Sequence, residues 1–299
     1  MKQQIKSSLI LLLTATIWGV AFVAQSVGME YIGPFTFNAI RCVLGGMVLI
    51  PVILVLKKKK ETGAENQEKE DKKTLWMGGI ACGVILCIAS NLQQFGIMEA
   101  SVGKSGFFTA LYIVMIPVIG IFIGKRPGIK LWFCVALAVV GMYLLCMKDG
   151  SFTIERADIM LLLCALAFSF HILVVDYFSP KVDGVKMSCI QFFVCGVLSA
   201  VGMLFTETPD ISNIQAAWLP LLYAGLLSCG VGYTLQIVGQ KGINPVIASL
   251  IMSLESVISA LAGWAILGQV LSPKEILGCV LMFVAIIITQ IPIGNKKTD

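Results

Sequence analysis

Three ionisable side chains stand in stretches of this sequence that are otherwise apolar. Glu255 lies about ten residues into the uncharged run that starts at Pro245, roughly 15 Å deep at 1.5 Å per residue. Arg41 falls about two turns into a second apolar run, and His171, the only histidine, sits in a third that ends near Asp176. In hydrocarbon such groups are costly unless they face a bundle interior or a wet cavity, which makes them pointers to function. Glu255 could hold a substrate's cationic group or a coupling proton, Arg41 offers an anionic counterpart, and His171 could carry a proton near neutral pH. Arg41 could equally pair with a carboxylate or carbonyls to hold helices together.

Amides form the next set. Tyr233, Gln236 and Gln240 follow the spacing i, i+3, i+7 and share one helix face, while Asn91, Gln93 and Gln94 cluster elsewhere. They could bind a polar solute or one another across helices. Trp18, Tyr112 and Trp264 could line a cavity or fill a core. Ser249, Ser253, Ser256 and Ser259, with Ala248, Ala262 and Gly263, give the helix of Glu255 a small, polar face. No nucleophile motif, metal-ligand cluster or close acid–base pair accompanies these groups, which argues against an enzyme and against a bound cofactor or metal. Gly103-Lys104-Ser105 resembles the end of a phosphate-binding loop, but Met98 stands where its first glycine is needed.

Composition says what must position these residues. Of 299 residues 58% are hydrophobic and 13% charged, and mean hydropathy is +0.91. Soluble domains carry roughly 25% charge, so the chain reads as an all-α integral membrane protein, with the lipid bilayer and a small-molecule substrate as partners and no role for nucleic acid. The ten cysteines lie inside apolar stretches without metal or disulfide spacing. The N-terminal apolar run is long enough to span a bilayer and is expected to stay on the chain.

Uncharged runs predict ten transmembrane helices near 7–27, 35–56, 75–98, 101–124, 129–147, 157–177, 187–206, 216–239, 245–267 and 273–292. With the N-terminus inside, 17 Lys and Arg residues fall on inner segments and 4, namely Lys104, Lys148, Arg156 and Lys274, on outer ones. Both termini are therefore expected in the cytoplasm, in the cell membrane. Residues 57–73, with seven lysines and five carboxylates, form a charged cytoplasmic loop.

An internal repeat runs through these spans. Leu92-Gln93 and Gly96 recur as Leu235-Gln236 and Gly239 at an offset of 143 residues, Leu131 to Cys134 corresponds to Ile276 to Cys279, and Arg41 corresponds approximately to Gln191. Two domains result, 1–149 and 150–299. Five spans per half make the second enter from the opposite side, an inverted repeat of the kind that supports alternating access.

The ordered set Ile17-Trp18-Gly19, Phe22, Pro34, Arg41, Gly106 to Val114, Pro117 and Gly141, followed by Tyr233, Pro245, Ala248, Leu254-Glu255 and Leu267-Gly268, resembles the EamA-type transporters of the drug/metabolite transporter superfamily. The likeness spans nearly the whole chain. It implies a carrier of small metabolites, often amino acids and often outward, with a cavity lined by helices of both repeats. Carried over by position, that cavity includes Trp18, Asn91, Tyr112, His171, Tyr233, Gln236 and Glu255. Ser256 and Gln269 stand where the family commonly has proline and glutamate, which puts a kink beside Glu255 in doubt. A passive facilitator or lipid-intermediate flippase is the alternative within transport, and an intramembrane enzyme the rival outside it. Coupling to a proton or ion gradient and oligomeric state stay open.

Overall fold

The computed structural model describes residues 2–62, 71–100, 102–124, 127–146, 155–268 and 272–290. Outside them fall 63–70 of the charged loop, Gln269, and Lys125, Arg126, Lys148, Lys296 and Lys297, on which part of the orientation argument rests. Among the described residues every regular element is helical: α1 (Lys2–Gly28), α2 (Pro34–Thr62), α3 (Lys72–Glu99), α4 (Val102–Ala110), α5 (Tyr112–Phe122), α6 (Ile129–Cys146), α7 (Arg156–Phe178), α8 (Gly184–Thr206), α9 (Ile211–Ala216), α10 (Trp218–Leu222), α11 (Thr234–Gln240), α12 (Pro245–Met252), α13 (Leu254–Leu267) and α14 (Pro273–Gln290).

Apolar runs without charge make helices because only an intrasegment ladder satisfies every peptide group in hydrocarbon. Their ends carry the polar signals. Asp183 and Asn244 accept from the backbone N–H groups of Val185 and Val246 at 3.0 and 2.9 Å, and Gly268 closes α13 at φ 67°, where a side chain would be strained. Eight helical segments are long and apolar enough to cross a membrane, and two shorter apolar stretches, Ile129–Gly141 and Ile276–Ile288, accompany them. The outer surface is apolar, with Leu54 and Phe205 61% and 84% exposed. Water does not tolerate so continuous an apolar belt, and lipid does.

Three predicted spans are not single regular helices. Leu111 and Ser253 each interrupt one, with ψ of −9° and −12°, so 101–124 becomes α4 and α5 and 245–267 becomes α12 and α13. The bend beside Glu255 thus forms without proline. Between α10 and α11 the chain widens into a π-helix over Tyr223–Tyr233, a rare geometry that recurs at functional sites. There Gly225 lets the wide turn lie against α2: a Cβ on it would sit 2.8 Å from Leu44 Cβ and 3.1 Å from the Arg41 carbonyl oxygen.

Helix α2 packs along α8, α3 along α7, α6 along α14 and α1 along α13. Polar ties join the two halves at helix ends. The Glu207 carboxylate, just past α8, accepts from the N–H groups of Phe35 and Thr36 at 2.9 and 2.8 Å and from the Thr36 hydroxyl at 2.6 Å, capping α2. Lys104 of α4 pairs with Glu155 and Asp158 at the start of α7, at 2.9 and 3.0 Å.

Candidate functional site

The helices line a narrow, partly open cavity of about 30 Å³. Helix α1 contributes Trp18, Ala21, Phe22 and Gln25, spaced i, i+3, i+4, i+7 so that one face forms a wall. Arg41 comes from α2, Gln93 from α3, Thr109 from α4 and Tyr112 from the first position of α5. Phe168 and Ile172 come from α7, Ser228 and Tyr233 from the wide turn, Gln236 from α11 and Glu255 from α13.

Both interruptions meet here. Tyr112 follows Leu111 directly, Glu255 lies two residues past Ser253, and the Tyr112 hydroxyl donates to Glu255 Oε1 at 3.0 Å. The carboxylate, 4% exposed, lies in the first turn of α13, where the helix N-terminus favours negative charge. Close packing holds it in place: a Cβ on Gly19 would lie 2.8 Å from the Glu255 carbonyl oxygen and 2.6 Å from Ile258 Cβ.

Arg41 is 2% exposed. Its Nη1 donates to Gln25 Oε1 at 2.9 Å and its Nε to Asn38 Oδ1 at 2.7 Å, and the residue borders the cavity. Asn38 Nδ2 in turn donates to Asn91 Oδ1 at 2.9 Å, and the Phe37 ring lies 5.7 Å from the guanidinium carbon. Among the described residues no ion pair within 4.0 Å joins Arg41 to Glu255, although both border the same cavity. One carbonyl and one ring pack the remaining wall: the Trp18 indole N–H donates to the Ser228 carbonyl at 3.4 Å, and its ring lies 4.6 Å from that of Tyr233.

Of the residues singled out in the sequence, Trp18, Arg41, Gln93, Tyr112, Tyr233, Gln236 and Glu255 meet at this cavity. Asn91 stands one residue behind Arg41, bonded to Asn38 and to Ser199 Oγ at 3.0 Å. His171 is also one residue back, 3.1 Å from Gln191 Oε1 and edge-on to Tyr233. Trp264 is 55% exposed on the outer surface. The serine face of α12 and α13 turns inward without reaching the cavity, and Ser259 abuts Gly106 of α4. Gln25, Asn38 and Thr109 were not expected from the sequence. Gln25 was detectable as the polar end of the Trp18 face, and Asn38 as the residue one turn before Arg41; Thr109 carries no such signal.

A model of the EamA-like transporter family matches residues 5–147 and again 155–291. The chain belongs to this family. Relatives align with most of it: an uncharacterized transporter of Archaeoglobus fulgidus is 27% identical over 94% of this chain and 84% of its own length. The uncharacterized transporter YwfM of Bacillus subtilis (strain 168) is 23% identical over 97% and 96%. A solved crystal structure superposes with a TM-score of 0.76 at 17% identity, covering 95% of this chain and 96% of that one, a likeness of fold. This EamA-like protein is a multi-pass membrane transporter, and the cavity is its candidate substrate site.

Proposed function

We propose that the chain is an alternating-access exporter of small zwitterionic metabolites, amino acids above all, in the cytoplasmic membrane. The observation that carries this reading is the buried carboxyl group of Glu255 and the buried guanidinium of Arg41, which border one cavity without pairing with each other. A guanidinium suits a carboxylate, and Glu255 across the cavity suits an ammonium group. The aromatic rings of Trp18, Tyr233 and Phe168 supply the apolar remainder of the wall. No covalent step is required.

Ten spans follow if Ile129–Gly141 and Ile276–Ile288 serve as the fifth and tenth. Two inverted five-helix repeats, divided near residue 150, agree with the two matched segments and with the bends at Leu111 and Ser253, one in each half. The excess of Lys and Arg on inner segments puts both termini in the cytoplasm. Outward movement is the direction implied by the resemblance. Glu255 is also the group to carry a coupling proton, exchanging it for the substrate's ammonium.

The test is uptake of labelled L-amino acids by purified protein in liposomes, with and without an imposed proton gradient. Saturable accumulation against the amino-acid gradient is expected. Movement that only equilibrates would replace the coupled exporter by a facilitator, and no movement of any amino acid would remove the substrate class.

A further inference from the structure

Two hydrogen-bond relays flank the cavity, one in each half, and they correspond residue by residue. In the first, Arg41 Nε of α2 donates to Asn38 one turn earlier, and Asn38 donates across to Asn91 of α3. In the second, Gln191 Nε2 of α8 donates to Ser188 Oγ one turn earlier at 3.4 Å, and Thr234 Oγ1 of α11 donates to the same Ser188 Oγ at 3.1 Å, so the cross-helix bond runs in the opposite direction. Arg41 and Gln191, like Asn38 and Ser188, stand 150 residues apart. Asn91 and Thr234 stand 143 apart, the separation of Tyr112 and Glu255. Each relay is closed by the preceding long helix: Gln25 of α1 accepts from Arg41, and His171 of α7 meets Gln191.

The geometry is shared and the chemistry is not. The first relay ends in a guanidinium at the cavity wall; the second ends in an amide and an imidazole, and neither Gln191 nor His171 borders the cavity. His171 Nε2 lies 3.1 Å from the Gln191 amide oxygen, which leaves the Gln191 amide N–H group as the anion-binding donor of this relay.

We propose that Gln191 forms the second half's station for the substrate's anionic end, its amide N–H group brought to the cavity in the opposite conformation. The proposal rests on the inverted-repeat carrier reading above. On this proposal, as the two repeats rock against each other around the site, Gln191 moves to the wall and Arg41 withdraws. A charge-assisted bond is then traded for a neutral one, so the anionic end is held about tenfold more tightly at one face of the membrane than at the other. A carrier built this way takes its substrate up firmly on one side and lets it go on the other.

The twenty protein L-amino acids, mixed at equal concentration, are presented to either face of the carrier oriented in proteoliposomes. Half-saturation is read by mass spectrometry for whichever amino acid moves. The wild type should show about a tenfold difference between faces. Gln191→Arg should bring it below about threefold by tightening the weak face, and Arg41→Gln should remove it by weakening the strong one. Equal half-saturation in the wild type, or a ratio indifferent to Gln191→Arg, overturns the proposal. A second arm needs no substrate: Asn38→Cys and Ser188→Cys are exposed to an impermeant thiol reagent from each side, with the labelled peptides mapped by mass spectrometry. The two sites should react from opposite faces; reaction from the same face, or at neither, overturns the proposal. If no amino acid moves, this arm still decides it, and the failure belongs to the substrate class alone.

Discussion

Helix α1 and the broken span α12–α13 press against each other at Gly19, yet they use polarity in opposite ways. The broken span carries four serines, each fully buried, and each hydroxyl donates to the carbonyl three residues earlier in its own chain segment: Ser249 to Val246, Ser253 to Leu250, Ser256 to Ser253 and Ser259 to Ser256. Helix α1 is apolar by composition, but its Trp18 face supplies a whole cavity wall and ends in Gln25, which fixes Arg41. Hydrogen-bonding capacity explains the difference. A short hydroxyl can be satisfied by its own helix, whereas an amide or a guanidinium has groups left over after a local bond: Gln25 donates to the Ala21 carbonyl and still accepts from Arg41 of α2.

That contrast can be broken most severely at its contact. Gly19→Leu forces α1 away from Ile258 and the Glu255 carbonyl, and the expected cost is about 3 kcal/mol or more of stability, read as a lowered melting temperature in detergent. Next comes the carboxylate that no serine can replace. Glu255→Gln should keep the fold and lower the initial rate of amino-acid uptake in liposomes by about 30-fold, the loss of a charged contact worth about 2 kcal/mol. Tyr112→Phe removes one neutral donor from that carboxylate, and about a fivefold loss of uptake is expected, near 1 kcal/mol. The smallest effect sharpens the contrast from the other side. Ser249→Ala and Ser259→Ala should each change uptake by less than about twofold, since only a bond within the same helix is lost.

The same property decides what the sequence disclosed. Glu255, Arg41 and Gln236 stood out because their groups carry more hydrogen-bonding capacity than one helix supplies, and all three border the cavity. The serine face stood out for its polarity alone, and polarity alone does not separate a self-bonded hydroxyl from one offered to a solute. Asn91 and His171 were expected as cavity residues and stand behind it, Asn91 beyond Asn38 and His171 edge-on to Tyr233, because spacing along a helix gives a face and not a depth. The interruptions at Leu111 and Ser253 have no glycine or proline beside them, and they flank the Tyr112–Glu255 bond. The wide turn over Tyr223–Tyr233 was likewise invisible, since its three glycines read equally well as close-packing positions in a regular helix.

The most direct test is a crossed inhibition series on amino-acid uptake. Labelled L-phenylalanine competes with phenethylamine, which keeps the ammonium, and with 3-phenylpropionate, which keeps the carboxylate, on the wild type, Glu255→Gln and Arg41→Gln. If the two charges hold opposite ends of a zwitterion, Glu255→Gln should lose inhibition by the amine and keep that by the acid, and Arg41→Gln should do the reverse. Amine and acid inhibiting to the same degree in all three proteins would contradict a site in which Arg41 and Glu255 divide the substrate between them.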